Sequence, residues 1–199
     1  MILGIVVAQT ESSMREIILI SFLGPDQPNQ FTRLMQVLSS HSLQILDVGQ
    51  AVIHNQLTLG IVVASEDQTA TALAMKEILI LAHDIGLTVR FKPISNAEYD
   101  QWVSEGGRTR YIVTAFAPEL TAADLQAVTK IVSGQGFNIE TVTRLSERLS
   151  LDSPEEQHRR ACVQFGLKGQ MLDAQAMRAA CLRLSNELNV DVAVQEDNV

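Results

Sequence analysis

The stretch IILISFLGPDQPNQFTRLMQVLSSHSLQILDV, residues 17–48, decides the fold, because a second version of it, YIVTAFAPELTAADLQAVTKIVSGQGFNIETV, occupies residues 111–142. The two align without a gap at an offset of 94 positions, and their apolar positions coincide: Ile18 with Ile112, Phe22 with Phe116, Phe31 with Leu125, Leu34 with Val128, Val37 with Ile131, Leu38 with Val132, Leu43 with Phe137, Ile45 with Ile139 and Val48 with Val142. Beyond residue 57 the offset becomes 103, which pairs Ile78 with Cys181, Leu81 with Leu184, Leu87 with Val190, Val89 with Val192 and Phe91 with Val194. The second copy therefore carries a nine-residue insertion, and the polar stretch 151–158 is its natural place, as a longer loop between strands.

Each copy reads the same way. Residues 16–23 are an apolar, β-branched run stopped by Gly24-Pro25, a buried strand. Residues 29–40 place Phe31, Leu34, Met35 and Leu38 on one helical face. Residues 45–54 and 57–65 are two strands joined at Asn55-Gln56 as a hairpin. Residues 69–84 are helical with Gly86 as the stop; Ile78-Leu-Ile-Leu-Ala82 also suits a strand, but its partner in the second copy, 174–188, has helical spacing. Residues 87–93 close the copy as a strand. The order βαββαβ, twice, predicts an α+β chain of two ferredoxin-like sandwiches in tandem, each an antiparallel sheet with both helices on one face. The expected limits are an N-terminal extension at 1–14, a first domain at 15–94, a link at 95–108 with its boundary at Gly106-Gly107, and a second domain at 109–199. Met14 is an alternative start.

Composition narrows the partners. The 199 residues are 46% hydrophobic, enough for packed cores, and 23 acidic against 15 basic side chains leave a net charge of −8. Four lysines and no basic run argue against nucleic acid and against anionic membrane surfaces. No apolar run reaches the roughly 18 residues of a membrane span. The apolar start lacks a basic n-region, so cytoplasmic residence is expected. Cys162 and Cys181 make no disulfide framework, and the four histidines have no metal-ligand spacing, so no metal is expected. On the first copy's central strands Ile45, Val48, Ile61, Val62 and Val63 offer neither the aromatics nor the bases of an RNA-recognition sheet.

The first loop, Gly24-Pro25-Asp26-Gln27-Pro28-Asn29, holds the candidate site. A helix N-terminus offers free N–H groups and a positive dipole end to a carboxylate. Asp26 supplies a carboxylate for an ammonium, Gln27 and Asn29 supply amides, and Pro28 fixes φ where the helix starts. These parts suit a zwitterion; the alternative is that Asp26 only caps the helix. In the gapless alignment the second copy has Leu120 opposite Asp26 and Ala123 opposite Asn29, and Thr121 with Asp124 forms a capping-box pattern, so the first copy is the expected site.

This loop resembles the first loop of the ACT domain, a small-molecule-binding regulatory module whose usual reading is Asp-x-Pro-Gly. Asn29 stands where that motif has Gly. With Leu46-Asp-Val-Gly-Gln-Ala-Val-Ile53, Leu57-Thr-Leu-Gly-Ile61 and the ending Val190-Asp-Val-Ala-Val-Gln-Glu-Asp-Asn-Val199, residues 15–199 are similar to the N-terminal region of bacterial phosphoserine phosphatases. That family hydrolyses O-phospho-L-serine with a magnesium-assisted aspartyl nucleophile in Asp-x-Asp-x-Thr. No Asp-x-Asp occurs here, so the resemblance implies a regulatory half without catalytic residues or cofactor, magnesium belonging to a C-terminal catalytic domain. It further implies a small amino acid such as L-serine or glycine as ligand, a homo-oligomer, most simply a dimer, and a site completed by the second strand of a neighbouring domain, here Asp47, Gly49 and Gln50. The alternatives are that Asp47 and Gln50 are ordinary exposed strand residues, and that the chain is a stand-alone tandem regulator similar to the glycine-cleavage system repressor.

Overall fold

In the computed structural model, residues 15–106, 110–146, 161–169 and 172–197 are described. The extension at 1–14, Gly107 of the expected boundary and the insertion at 151–158 lie outside them. The chain divides into two compact units, Met1–Ser104 and Glu105–Val199.

Unit 1 runs β1 (Glu16–Pro25), α1 (Gln30–Ser40), β2 (Gln44–Ile53), β3 (Gln56–Ser65), α2 (Gln68–Asp84), β4 (Thr88–Ile94) and all but the last two residues of α3 (Asn96–Gly106). Unit 2 runs β5 (Arg110–Ala117), α4 (Ala122–Gly134), β6 (Asn138–Arg144), β7 (Ala161–Lys168), α5 (Ala174–Leu188) and β8 (Asp191–Asp197). The sheets have the orders β2-β3-β1-β4 and β6-β7-β5-β8, all pairs antiparallel. This is the ferredoxin-like α+β tandem that the repeat predicts.

Unit 1 buries alternate residues of β1, Ile18, Ile20 and Phe22, against Leu57, Leu59, Ile61 and Val63 of β3 and against Leu34, Leu38, Ala74 and Ile78 of the helices. Period 2 meets period 3.6 on one sheet face, so both helices share that face. Each such Leu, Ile or Phe contributes about 1.5–3 kcal/mol on burial.

The second core departs from the alignment in one strand. In β5 the buried residues are Val113, Ala115 and Ala117, while Ile112 and Phe116 are half-exposed. Val113 pairs with Phe165 and Val194, as Ile20 pairs with Ile61 and Phe91. The strand is therefore one residue out of phase with the gapless repeat, although Leu34 and Val128, and Leu38 and Val132, are buried as aligned. From Val113 to Val128 the chain is one residue longer than from Ile20 to Leu34, and a one-residue slip turns every strand side chain to the other face.

Two further differences are local. The β2–β3 turn is His54-Asn55, not Asn55-Gln56: both residues have positive φ (48° and 60°), the type I′ geometry, with Ile53 facing Gln56 across the last pair. Most of the stretch read as a link is α3, started by a capping box in which Glu98 accepts from Ser95 N at 2.9 Å and Ser95 Oγ accepts from Glu98 N at 3.2 Å.

Candidate functional site

Three chain segments meet at one end of unit 1. Gly24 lies against the α2–β4 turn so closely that a Cβ there would stand 2.7 Å from Gly86 O and 2.9 Å from Leu87 Cδ2. Asp26 N donates to Asn55 O at 2.9 Å, tying the loop to the β2–β3 turn. Pro28 and Asn29 then turn the chain into α1. Asn29 has φ 66° and ψ 2°, the left-handed value of the third residue of a type II turn, with Pro28 before it. Asn is the non-glycine residue that adopts this region most readily. The departure from Asp-x-Pro-Gly is thus a conformational equivalent: Asn29 does what the glycine does.

Asn29 is the N-cap of α1, which begins at Gln30; its side chain makes no capping bond, and the first turn holds no acidic residue. Asp26, Gln27, Pro28 and Asn29 are all exposed. Among the described residues the Asp26 carboxylate has no hydrogen-bond partner and no ion pair, so it is not the cap of α1. A positive helix end and an unpaired carboxylate stand side by side, the two charges a zwitterion needs.

β2 places its three candidates apart. It is an edge strand, and a bulge at Leu46 resets its alternation. Opposite Val62 and Gly60, Asp47 and Gly49 face away from the helices; Gln50, opposite the buried Leu59, faces the helix side. A Cβ on Gly49 would meet nothing within 4 Å. Asp47 is level with Leu19 and the loop begins at Pro25, so the two lie about 20 Å apart along the sheet, at 3.3 Å per residue. Unit 1 does not bring Asp26 and Asp47 together.

Unit 2 is built differently at the same place. Counted from the strand, Pro25-Asp26 matches Pro118-Glu119 rather than Glu119-Leu120, and Leu120 packs on the core. Yet α4 is closed by a capping box: Thr121 Oγ1 accepts from Asp124 N at 3.2 Å, and Asp124 Oδ2 accepts from Thr121 N at 2.8 Å. The Thr121 N–H and hydroxyl hold the Asp124 carboxyl below its usual range. A carboxylate already occupies this helix end, so a second anion is disfavoured there.

Residues 16–92 match the family model of the ACT domain. Unit 1 is an ACT domain. Over 184 residues, 90% of its length, the chain is 28% identical to phosphoserine phosphatase SerB2 of Mycobacterium tuberculosis; it spans about 40% of that relative. Among solved structures, an unknown protein from Galdieria sulphuraria superposes with a TM-score of 0.68 at 16% identity, over 92% of this chain and 99% of that one. A putative glycine cleavage system transcriptional repressor superposes with a TM-score of 0.63 at 10% identity, over 92% and 98%. These two likenesses show the tandem fold.

One residue of the ACT domain's loop region escapes a reading by residue type. Gln30 is 4% exposed, and its carboxamide lies inside the loop. The signal was positional: Gln30, Leu34 and Leu38 form the buried i, i+4, i+8 stripe of α1. Elsewhere the side chains are structural. His41 Nε2, at the end of α1, stands 3.2 Å from Glu77 Oε1 of α2 but makes no hydrogen bond. Cys162, level with Phe116 and half-exposed, faces away from the helices, whereas Cys181 is in the core on the helix side, where burial pushes its thiol up; both thiols are free. Among the described residues no three His, Cys, Asp or Glu side chains are placed to share a metal ion, and no helix is long and apolar enough to cross a membrane.

Proposed function

We propose that the ACT domain of unit 1 senses a small amino acid, L-serine first and glycine second, for a phosphoserine phosphatase activity carried by a separate catalytic domain in the cytoplasm. The observation that carries the reading is the unpaired Asp26 carboxylate beside the uncapped start of α1. The α1 end receives the ligand carboxylate, Asp26 receives its ammonium, and Gln27 and Asn29 supply polar contacts. The resemblance to SerB2 supports the choice of ligand class and of the attached activity.

The same reading calls for a homodimer. Asp47 reaches an Asp26 only in a neighbouring domain, because within one unit the two lie about 20 Å apart along the sheet. β2 is a ten-residue edge without proline or lysine, and an unpaired edge of that kind favours pairing. On α2, Leu73, Leu79 and Ile80 are about half-exposed and add apolar area for a second copy. Light scattering at micromolar concentration tests this: a dimer mass supports it, and a strict monomer with and without L-serine removes the shared site. The chain alone is expected not to hydrolyse phosphoserine, with or without magnesium.

A second reading, a free-standing tandem regulator, is favoured by the fold match to the putative glycine cleavage system transcriptional repressor over 98% of that chain. A reading frame that continues past residue 199 into Asp-x-Asp-x-Thr supports the first reading, and a stop codon at position 200 supports the second.

A further inference from the structure

We propose that Gln30 is the positioning residue of the effector loop and the link that carries the loop's state to the α2–β4 turn; as a role in sensing, this rests on the amino-acid reading above. Gln30 Oε1 accepts from Gln27 N at 3.0 Å, and Gln30 Nε2 donates to Pro25 O at 3.1 Å and to Ile85 O at 3.3 Å. One buried carboxamide thus holds both sides of Asp26 and reaches 55 residues along the chain to the end of α2. A buried amide with all three bonds made is costly to disturb, because each lost partner leaves a buried polar group unpaired.

The close approach of Gly24 to Gly86 O and Leu87 is a second contact between this end of β1 and the turn, independent of Gln30. The turn is itself tight: Gly86 has φ 74°, and Leu87 N donates to Ala82 O at 2.7 Å. Among the described residues, unit 2 lacks the device. The residue aligned with Gln30 is Asp124, whose carboxylate bonds back to Thr121 within its own turn. A ligand that displaces the Pro25–Gln27 backbone in unit 1 therefore pulls on Ile85, the C-cap of α2, three residues before β4.

Gln30→Met keeps the length and removes the polar atoms; Gln30→Glu keeps the shape but sets a carboxylate against the carbonyls of Pro25 and Ile85 until it is protonated. Amide hydrogen exchange on the whole chain is the first readout. In Gln30→Met, exchange is expected to rise about tenfold or more at both Gln27 and Leu87, with Leu59 and Ile61 unchanged. Faster exchange at Gln27 alone would make Gln30 a local cap and overturn the link. L-serine titration is the second readout. Gln30→Met is expected to bind about tenfold or more weakly, and Gln30→Glu to bind weakly at pH 7 and to approach the parent's affinity, measured at the same pH, near pH 5. Equal affinity in all three proteins would overturn the positioning role. A parent that binds no L-serine ends the amino-acid reading instead, and the exchange result then decides the link by itself.

Discussion

Asp26 N and Asn55 O, 2.9 Å apart, fasten the first loop of unit 1 to the tip of its β2–β3 hairpin. The bond uses main-chain atoms only, so it survives side-chain changes at either position and leaves the Asp26 carboxylate to solvent. The hairpin tip itself is strained, since His54 and Asn55 both take left-handed φ without a glycine. Asn55→Gly is expected to stabilise unit 1 by about 0.4–1 kcal/mol in urea unfolding, with no change in amino-acid affinity.

Asn29 offers a sharper conformational test. Its φ of 66° is the reason for the position's residue type. Asn29→Gly is expected to leave stability within about 0.5 kcal/mol of the parent, and Asn29→Ala to cost about 1 kcal/mol, because Ala pays the left-handed penalty without local side-chain compensation. Equal urea midpoints for the two variants would show that the loop relaxes out of this conformation.

The capping box of α4 predicts a pH dependence in unit 2. Asp124 titrates lower folded than unfolded, so its contribution is complete above the unfolded carboxylate value and is lost as pH falls through the lowered folded value. Thr121→Val removes the hydroxyl donor and is expected to move the Asp124 carboxyl back towards its usual range in an NMR titration. The same substitution also flattens the acid limb of unit 2's stability.

Much of this was readable in the chain. The repeat gave both sheets and the helix faces, because Leu34, Leu38, Val128 and Val132 are large, apolar and periodic. The β5 register was hidden because its inward residues, Ala115 and Ala117, are small, whereas the outward Ile112 and Phe116 mimic a core pattern. The turn at His54-Asn55 lacked the glycine that marks such turns. Gln30 was hidden by its polarity on an otherwise apolar stripe. The separation of Asp47 from Gln50 was present in their odd spacing, which sends the two side chains to opposite faces of a strand. Pro25-Asp26 and Pro118-Glu119 match only once the extra loop residue is placed, so Glu119, not Leu120, is the proper control for Asp26.

Calorimetric titration of L-serine, then glycine, into the parent, Asp26→Ala and Glu119→Ala tests the account most directly. The parent and Glu119→Ala are expected to bind alike. Asp26→Ala is expected to lose about 2–4 kcal/mol, roughly 30- to 1000-fold in affinity, because the ligand ammonium loses its charged partner while α1, which Asp26 does not cap, stays intact. Absence of heat from either amino acid with the parent up to millimolar concentration, or equal binding by Asp26→Ala, would contradict it.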